Sequence, residues 1–199
     1  MIKKDIILNG VIVGSHNSTG NNDKDIQEVR EILKAKGLYK EITINDSMYG
    51  QANSFAEVAK NLYETHLKKS PINGNSIAPF VVNAVFSVEL YLKTIHNAYG
   101  NTIKGHHLSS IYKNMPRKGK DLFLAAAQDI YHLYAHEPET NILTTIESMS
   151  KAFEQWRYIF EHERLDIEMQ SIRYTMHVAH EACCRVRESI KKNDSTNNL

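Results

Sequence analysis

The sequence predicts a mainly α-helical protein, a four- or five-helix up-and-down bundle that follows an N-terminal extension. One pattern is an apolar stripe about 100° wide on a helix from residue 77 onward, formed by Ile77, Val81, Ala84, Val85, Val88, Leu92, Ile95 and Tyr99. A second pattern alternates steps of four and three residues, as in one long packed helix, and comprises Ile142, Ile146, Met149, Phe153, Trp156 and Phe160. Short connections between such segments favour a bundle.

Three further helices complete the predicted bundle. A short one covers about residues 107–114 and stops before Pro116, and another covers about 117–137 and ends at Pro138. The last covers about 164–192. The side chains expected to face inward on the second and third of these helices are Leu122, Ala126, Ile130 and Leu133, then Leu165, Met169, Ile172, Met176, Cys183, Val186 and Ile190.

Residues 1–72 are expected to form a separate extension, 73–192 the helical domain and 193–199 a disordered tail. Two β-branched runs around Asn9-Gly10 predict a β-hairpin with a type I′ turn. Residues 15–22 are expected to form a loop, and residues 38–44 are ambiguous. Two helical segments are predicted after the loop: one starts at Asp23, with Ile26, Val29 and Leu33 on one face and a stop at Gly37, and one carries Phe55, Ala59, Leu62 and His66.

Composition excludes several classes of protein. The 199 residues are 42% hydrophobic and 24% charged, with a net charge of +1, so the chain lacks the basic footprint of a duplex-DNA binder. No apolar run approaches the roughly 18 residues that span a bilayer, so we expect a cytoplasmic protein without membrane contact. The adjacent Cys183 and Cys184 predict free thiols in a reducing compartment. No cofactor and no metal are expected.

Three stretches, in order, resemble the HEPN superfamily of prokaryotic helical domains. They are 83–93 (NAVFSVELYLK), 105–112 (GHHLSSIY) and 153–161 (FEQWRYIFE). The first is similar to the first core helix of that superfamily, and the second to the start of its second helix, with His107 in place of the usual acid. The third is similar to an aromatic-Arg-Tyr segment. The resemblance implies a HEPN-like bundle from residue 73 to residue 192.

The resemblance also implies a function. Many members of this superfamily are metal-independent endoribonucleases of toxin–antitoxin and antiphage defence systems, in which a helix carries Arg and, after four to six residues, His. Others are noncatalytic modules that bind RNA, nucleotides or proteins. Arg157 and His162, with four residues between them, are the expected catalytic pair, although Tyr158 stands where a polar residue is common. Arg173 and His180, with six between them, are the alternative pair.

Helical geometry separates the two pairs. Five positions on an ideal helix turn by about 140°, so Arg157 and His162 flank opposite sides of the apolar stripe and meet only at a distorted helix end or between two protomers. Seven positions return to within about 20° of one direction. Arg173, His177 and His180 therefore form one strip with Cys184, although this strip lies on the final helix rather than the penultimate one.

Each of these residues also has a purely structural interpretation. Arg157 can pair with Glu154 or Glu161, and His162 can interact with the dipole of a helix end. The strip from Arg173 to His180 can be a solvated or interface face. Glu89 and Lys93 match an ordinary i,i+4 ion pair, Trp156 matches a core residue, and His177, His180 and Cys184 leave a metal site as a weaker alternative.

For an active nuclease, histidine suits the base near the ribose 2′-hydroxyl because its pKa lies near working pH. Arginine suits the cation near the scissile phosphate. The resemblance implies RNA as substrate, a homodimer with the cleft between two protomers, and an antitoxin or defence-system partner protein. The alternative function is a noncatalytic interaction, immunity or nucleotide/RNA-binding module.

Overall fold

The computed structural model describes residues 2–134, 142–157 and 168–196, with the backbone alone for residues 153, 154, 157, 191 and 193–196. The chain is mainly helical with a small antiparallel hairpin, as the sequence predicts. It divides into two compact units, Met1–Thr43 and Ile44–Leu199. The sequence places the boundary after residue 72. In the structure it falls earlier, because the helix that starts at Ile44 packs along the central helix of the second unit.

The first unit holds strands β1 (Ile2–Leu8) and β2 (Val11–Ser18) and helix α1 (Asn22–Ala35). The strands are antiparallel, and the turn has positive φ at Asn9 (50°) and Gly10 (80°), as a type I′ turn requires. Strand β2 extends through Ser18, which pairs with Ile2. The expectation of a loop from residue 15 is therefore wrong, since pairing with β1 holds these polar residues in the sheet.

Helix α1 begins and ends where the sequence predicts, but a different residue is buried. The Asn21 side chain accepts hydrogen bonds from the amides of Asp23 and Lys24, and Gly37 follows the helix with φ 64°. Ile26, expected on the inner face, is 57% exposed. Asp25 is buried instead, because its carboxylate accepts hydrogen bonds from Ser18 and Thr19, which lower its pKa to about 2.

The second unit is built around helix α3 (Ile77–Ala98), which follows a short helical turn at Gly74–Ser76. Helix α2 (Ile44–Leu62) runs directly into a π-helical turn, Tyr63–Leu67. This turn changes the helical phase, so that Tyr63 and Leu67 are buried and the predicted His66 is exposed. The helix also starts earlier than the apolar spacing around Phe55 indicates, since residues 44–54 are polar on most positions.

Four more helices follow: α4 (Leu108–Lys113), α5 (Arg117–Ile130), α6 (Ile142–Arg157) and α7 (Met169–Thr196). Helix α3 contacts α2, α4, α6 and α7, and α5 packs on α7. A Cβ at Gly119 of α5 would lie 2.8 Å from the Ile95 side chain, so this glycine permits close packing against α3. The predicted stripe of α3 forms the centre of the core, where Val81, Ala84, Val88, Leu92 and Ile95 are fully buried.

Three helix ends differ from the prediction. Helix α5 ends at Ile130 and continues as a 3₁₀ turn, Tyr131–Leu133, so Leu133 is 58% exposed instead of buried. Helix α7 begins at Met169 because the Glu168 carboxylate accepts hydrogen bonds from the amides of Gln170 and Ser171. Helix α7 then runs to Thr196, into the segment expected to be a disordered tail.

The segment Gly74–Ala98 is the one part of the described chain that is long and apolar enough to cross a membrane. Its apolar window is 61% buried inside the protein, because α2, α6 and α7 cover it. The core helix of a soluble protein has this character. The apolarity of α3 therefore follows from its central position in the second unit.

Candidate functional site on helix α7

Arg173, His177, His180 and Cys184 form one line along α7, as the helical spacing predicts, and all four are partly exposed. The opposite face of the helix enters the core through Val178, Ala179, Ala182, Cys183 and Val186, which are fully buried. This burial fixes the rotation of α7. The four polar side chains are thereby held at the edge of the core, beside residues of α2, the π-helical turn and the segment after α5. We call these four residues the α7 strip.

Arg173 is held by aromatic rings and hydrogen bonds. Its guanidinium carbon lies 4.0 Å from the centre of the Tyr63 ring and 5.8 Å from that of Tyr134, within the range of cation–π attraction. It donates a 2.7 Å hydrogen bond to Gln170, and Glu64 lies 3.8 Å away. These contacts orient the planar guanidinium while leaving part of it exposed.

His177 lies one turn after Arg173 in a mainly uncharged setting. Its Nδ1 is 3.3 Å from the Tyr134 hydroxyl, which also donates a hydrogen bond to the Arg173 carbonyl. Burial lowers the pKa of His177 from its ordinary value of 6.5, and the neighbouring His180 and Arg173 lower it further, while Glu181 opposes the shift. The neutral imidazole, which can accept a proton, is therefore favoured at neutral pH.

His180, less than one turn further along, has the opposite electrostatic setting. Its Nε2 lies 3.6 Å from the Cys184 sulfur and 3.4 Å from the Tyr49 hydroxyl. The hydrogen bond with Cys184 raises the pKa of His180 above 6.5 despite partial burial. Two histidines three positions apart on one helix are thus shifted in opposite directions, and such a pair is typical of acid–base chemistry.

The adjacent cysteines have contrasting environments. The Cys184 sulfur is 3.2 Å from the Tyr49 hydroxyl, and its hydrogen bond with His180 lowers its pKa. Cys183 is fully buried on the core side, and burial raises its pKa to about 12. Both are free thiols, as expected from their adjacency. One position along the helix, a turn of about 100°, separates an inert thiol from a polarised one.

Residues of α2 and α3 position this end of the α7 strip. Tyr49 lies under the Arg187 guanidinium, whose carbon is 4.3 Å from the ring centre, and Arg187 donates a 2.7 Å hydrogen bond to Asp46. The Tyr91 ring stands edge-on to His180, with ring centres 5.5 Å apart. Its hydroxyl donates to Asn53. The imidazole of His180 therefore has a tyrosine ring from α2 and another from α3 as neighbours.

A second cluster joins two of the stretches that the sequence singles out, and we call it the α3 cluster: Glu89 and Lys93 of α3 with His106 of the loop that follows. The buried Glu89 carboxylate accepts a 2.7 Å hydrogen bond from Lys93 and lies 2.9 Å from Nδ1 of His106. The predicted Glu89–Lys93 pair is therefore present, with His106 added. His96 is buried and bonded through Nε2 to the Ile111 carbonyl, 2.8 Å away.

The expected catalytic pair Arg157/His162 falls largely outside the described part of the chain. Arg157 ends α6 with its backbone alone described, and His162 lies outside the described residues, as do Tyr158 and Glu161. Trp156 is buried, as predicted for a core residue. The geometry of this pair therefore stays a prediction, whereas the alternative pair Arg173/His180 is brought onto one face.

The weaker metal interpretation of His177, His180 and Cys184 lacks the geometry it needs. Within residues 2–134, 142–157 and 168–196, no group of three or more His, Cys, Asp or Glu side chains is placed to hold a metal ion. Tyr49 instead approaches both His180 and Cys184.

Comparison of the chain with models of known protein families, with curated proteins and with solved structures finds no match.

Sequence reasoning missed the tyrosines that complete the α7 strip. Each member of a set of three tyrosines contacts a residue of the α7 strip: Tyr49, Tyr63 and Tyr134. Tyr49 is 131 positions from its partner His180, and Tyr134 is 39 positions from Arg173. Their only advance signal is the high tyrosine count of 10 in 199 residues. A count does not say which rings converge on one helix.

Proposed function

We propose that the second unit is a HEPN-like domain that binds and cleaves RNA without a metal ion, with Arg173, His177 and His180 as its catalytic residues. The observation that carries this proposal is the pair of oppositely shifted histidines on one face of α7, preceded by an arginine. Arg173 and His180 also keep the Arg–six residues–His spacing of the resemblance.

The chemistry assigns each residue one role. Neutral His177 accepts the proton of a ribose 2′-hydroxyl, and the resulting oxygen attacks the adjacent phosphorus. Protonated His180 donates its proton to the departing 5′-oxygen. Arg173 neutralises charge that grows on the phosphate oxygens. The products of this step are a 2′,3′-cyclic phosphate and a 5′-hydroxyl.

The surroundings of Arg173 support a nucleic-acid ligand. Its guanidinium lies against the buried Tyr63 ring and near the partly exposed ring of Tyr134, and exposed tyrosine rings stack on unpaired bases. Lys60 contributes a further positive charge that acts on His177. Single-stranded RNA presents the phosphates and the exposed bases that such a surface favours.

The test is RNA cleavage in EDTA by the full chain and four alanine variants. Arg173→Ala, His177→Ala and His180→Ala should each reduce the cleavage rate, by about 10²-fold or more for the histidines. Arg185→Ala is the matched control, because Arg185 is on α7 but points to Asp129 and Glu181 instead. It should cleave at the wild-type rate.

Two outcomes would change the proposal. If Arg157→Ala and His162→Ala abolish cleavage while the α7 variants do not, the site is the other predicted pair and the nuclease class survives. If the wild type leaves a panel of single-stranded and structured RNAs intact in EDTA, the nuclease proposal is wrong.

A noncatalytic binding module is the second candidate, and the engagement of Arg173 favours it. The Arg173 guanidinium is already held by contacts with Gln170, Glu64 and Tyr63. A guanidinium fixed in this way suits a recognition surface as well as a catalytic site. This candidate predicts RNA or nucleotide binding that Arg173→Ala weakens, with no product formed. Filter binding with gel analysis of the same samples separates the two functions.

The proposal includes a cytoplasmic homodimer that acts in a toxin–antitoxin or antiphage system, with an antitoxin or other defence protein as partner. In the domains that this chain resembles, the cleft lies between two protomers. Sedimentation analysis should give twice the chain mass of 22.8 kDa. A strictly monomeric mass at tens of micromolar would remove the composite-cleft part of the proposal.

A further inference from the structure

The adjacent thiols of α7 differ in their exposure and in their polar neighbours. Cys184 is partly exposed and lies at hydrogen-bond distance from two polar groups on its open side, His180 and Tyr49. Cys183 is buried among apolar side chains. Such an environment, with a partly exposed thiol beside an imidazole, is the kind in which reactive cysteines are found.

We propose that Cys184 is a modification site for hydroperoxides, in which His180 takes the thiol proton and Tyr49 donates a hydrogen bond to the sulfur. The sulfur-to-nitrogen distance of 3.6 Å and the sulfur-to-hydroxyl distance of 3.2 Å suit direct hydrogen bonds to sulfur. The thiolate, rather than the thiol, is the nucleophile. Modification of Cys184 requires no RNA, so it can be tested whether or not the protein cleaves RNA.

The groups that face Cys184 act on its charge in both directions. The hydrogen bonds with His180 and Tyr49 lower the pKa of the thiol, while burial and the negative charge of Glu181 raise it. Tyr91 of α3 is a further titratable neighbour, and burial holds its hydroxyl neutral.

Arg187, on the same helix, is ion-paired with Asp46 of α2 and lies over the Tyr49 ring. The hydrogen bond with His180 makes the largest contribution to the lowered pKa of Cys184, so His180 is the main stabilising partner of the thiolate.

The reaction balances with hydrogen peroxide as the oxidant. The Cys184 proton passes to His180, and the thiolate attacks one peroxide oxygen, so an S–O bond forms as the O–O bond breaks. Sulfur is oxidised by two electrons to a sulfenic acid, and the other oxygen leaves as hydroxide. The imidazolium of His180 returns its proton to this hydroxide, which gives water.

No second thiol completes a disulfide in this setting. Cys183 is the neighbouring cysteine, but it points into the core, where burial raises its pKa to about 12. An adjacent pair also closes only a strained disulfide. The sulfenic acid is therefore expected to persist as a single modification until an external thiol reduces it.

The test compares two variants with one cysteine each, Cys183→Ala and Cys184→Ala, in the full chain without RNA. The probe is iodoacetamide, whose labelling rate is followed by mass spectrometry between pH 5 and pH 10. Cys183→Ala, which retains Cys184, should be labelled with an apparent pKa below the roughly 8.5 of a free cysteine. Cys184→Ala should be labelled about tenfold more slowly at pH 7, since its remaining thiol is buried.

His180→Gln in the Cys183→Ala background separates activation from mere exposure. Labelling at pH 7 should fall about fivefold, because less thiolate is present, whereas labelling at pH 10 should not change. Hydrogen peroxide should then oxidise Cys184 to a sulfenic acid that a cyclic 1,3-dione traps, and more slowly in the His180→Gln variant.

Two results would overturn the proposal. One is an apparent pKa of Cys184 at or above that of a free cysteine, measured in the protein that retains His180. This measurement needs no His180 variant. The other is a failure of peroxide to give a trapped sulfenic acid at Cys184 under conditions that label it with iodoacetamide. The wild-type pH profile thus keeps the proposal testable if His180→Gln does not fold.

Discussion

The two histidine clusters of the second unit use the same residue type in different ways. At the α3 cluster, His106 of the loop after α3 lies against the buried carboxylate of Glu89, which also binds Lys93. On α7, His177 and His180 are surrounded by tyrosine rings, a thiol and Arg173. The α3 cluster has a buried carboxylate at its centre. The two histidines of the α7 strip instead have hydroxyl groups and a thiol as side-chain hydrogen-bond partners.

The difference shows why a histidine count alone does not locate a site. A buried carboxylate needs a cation and hydrogen bonds, so Glu89 holds Lys93 and His106 as structural partners. Without such an anion, the local surroundings decide the charge of each imidazole. Burial and nearby cations keep His177 neutral, while Cys184 favours the proton on His180. The α7 strip therefore retains a base and an acid side by side.

The largest expected effect is on stability at the α3 cluster. Glu89→Gln keeps the side-chain shape but leaves Lys93 without its anion in a setting where the lysine side chain is only 17% exposed. We expect a loss of about 2–4 kcal/mol in the free energy of unfolding, measured by urea denaturation. Glu147→Gln is the control, because its pair with Lys113 is exposed to solvent, and exposed ion pairs contribute little to stability.

An equal loss in the two variants would contradict this contrast between the clusters. It would mean that Glu89 is accessible to water and that Lys93 is not dependent on it. The RNA-cleavage rate of Glu89→Gln, measured below its unfolding transition, should match that of the wild type, since no residue of the α3 cluster belongs to the proposed site.

The sequence predicted the helices well because their signals are local. The stripe on α3, the glycine after α1 and the turn at Asn9-Gly10 are each set by residues within one or two turns of chain. The same reasoning placed Arg173, His177, His180 and Cys184 on one face of α7. Helical spacing is sufficient for that.

What the sequence did not predict depends on contacts distant in the chain. Tyr49 meets His180 and Cys184 across 131 and 135 positions, and no local pattern indicates such pairs. The π-helical turn that buries Tyr63 in place of His66 is likewise fixed by packing on Phe80, with ring centres 5.9 Å apart. The start of α7 is an exception, because the Glu168 carboxylate that caps it bonds the amides of Gln170 and Ser171, a local contact that apolar spacing does not reveal.

A smaller stability effect is expected at the α7 strip. Arg173→Ala removes the guanidinium from the Tyr63 ring and from Gln170, which we expect to cost about 1 kcal/mol. Thermal unfolding measures this loss, and the same sample should have lost RNA cleavage. A loss as large as that of Glu89→Gln would make Arg173 a structural residue, like Lys93.

The pH dependence of stability should be smaller still and opposite for the two histidines. The lowered pKa of His177 adds stability that is present above pH 6.5 and is lost as pH falls through its folded pKa. The raised pKa of His180 adds stability that is present below pH 6.5 and is lost as pH rises through its folded pKa.

Urea denaturation between pH 5 and pH 8 checks both signs. Relative to wild type, His177→Ala should lose less stability on acidification, and His180→Gln should lose less on a rise in pH. Parallel curves for wild type and both variants would show that neither imidazole changes its pKa on folding.

The most direct test of the account is an NMR titration of the imidazole signals of His177 and His180 in the folded protein. We expect the midpoint of His177 below 6.5 and that of His180 above 6.5. Cys184→Ala should lower the midpoint of His180, because its hydrogen bond with the thiol is the main cause of the shift. Equal midpoints, or a reversed order, would contradict the assignment of a base and an acid to the α7 strip.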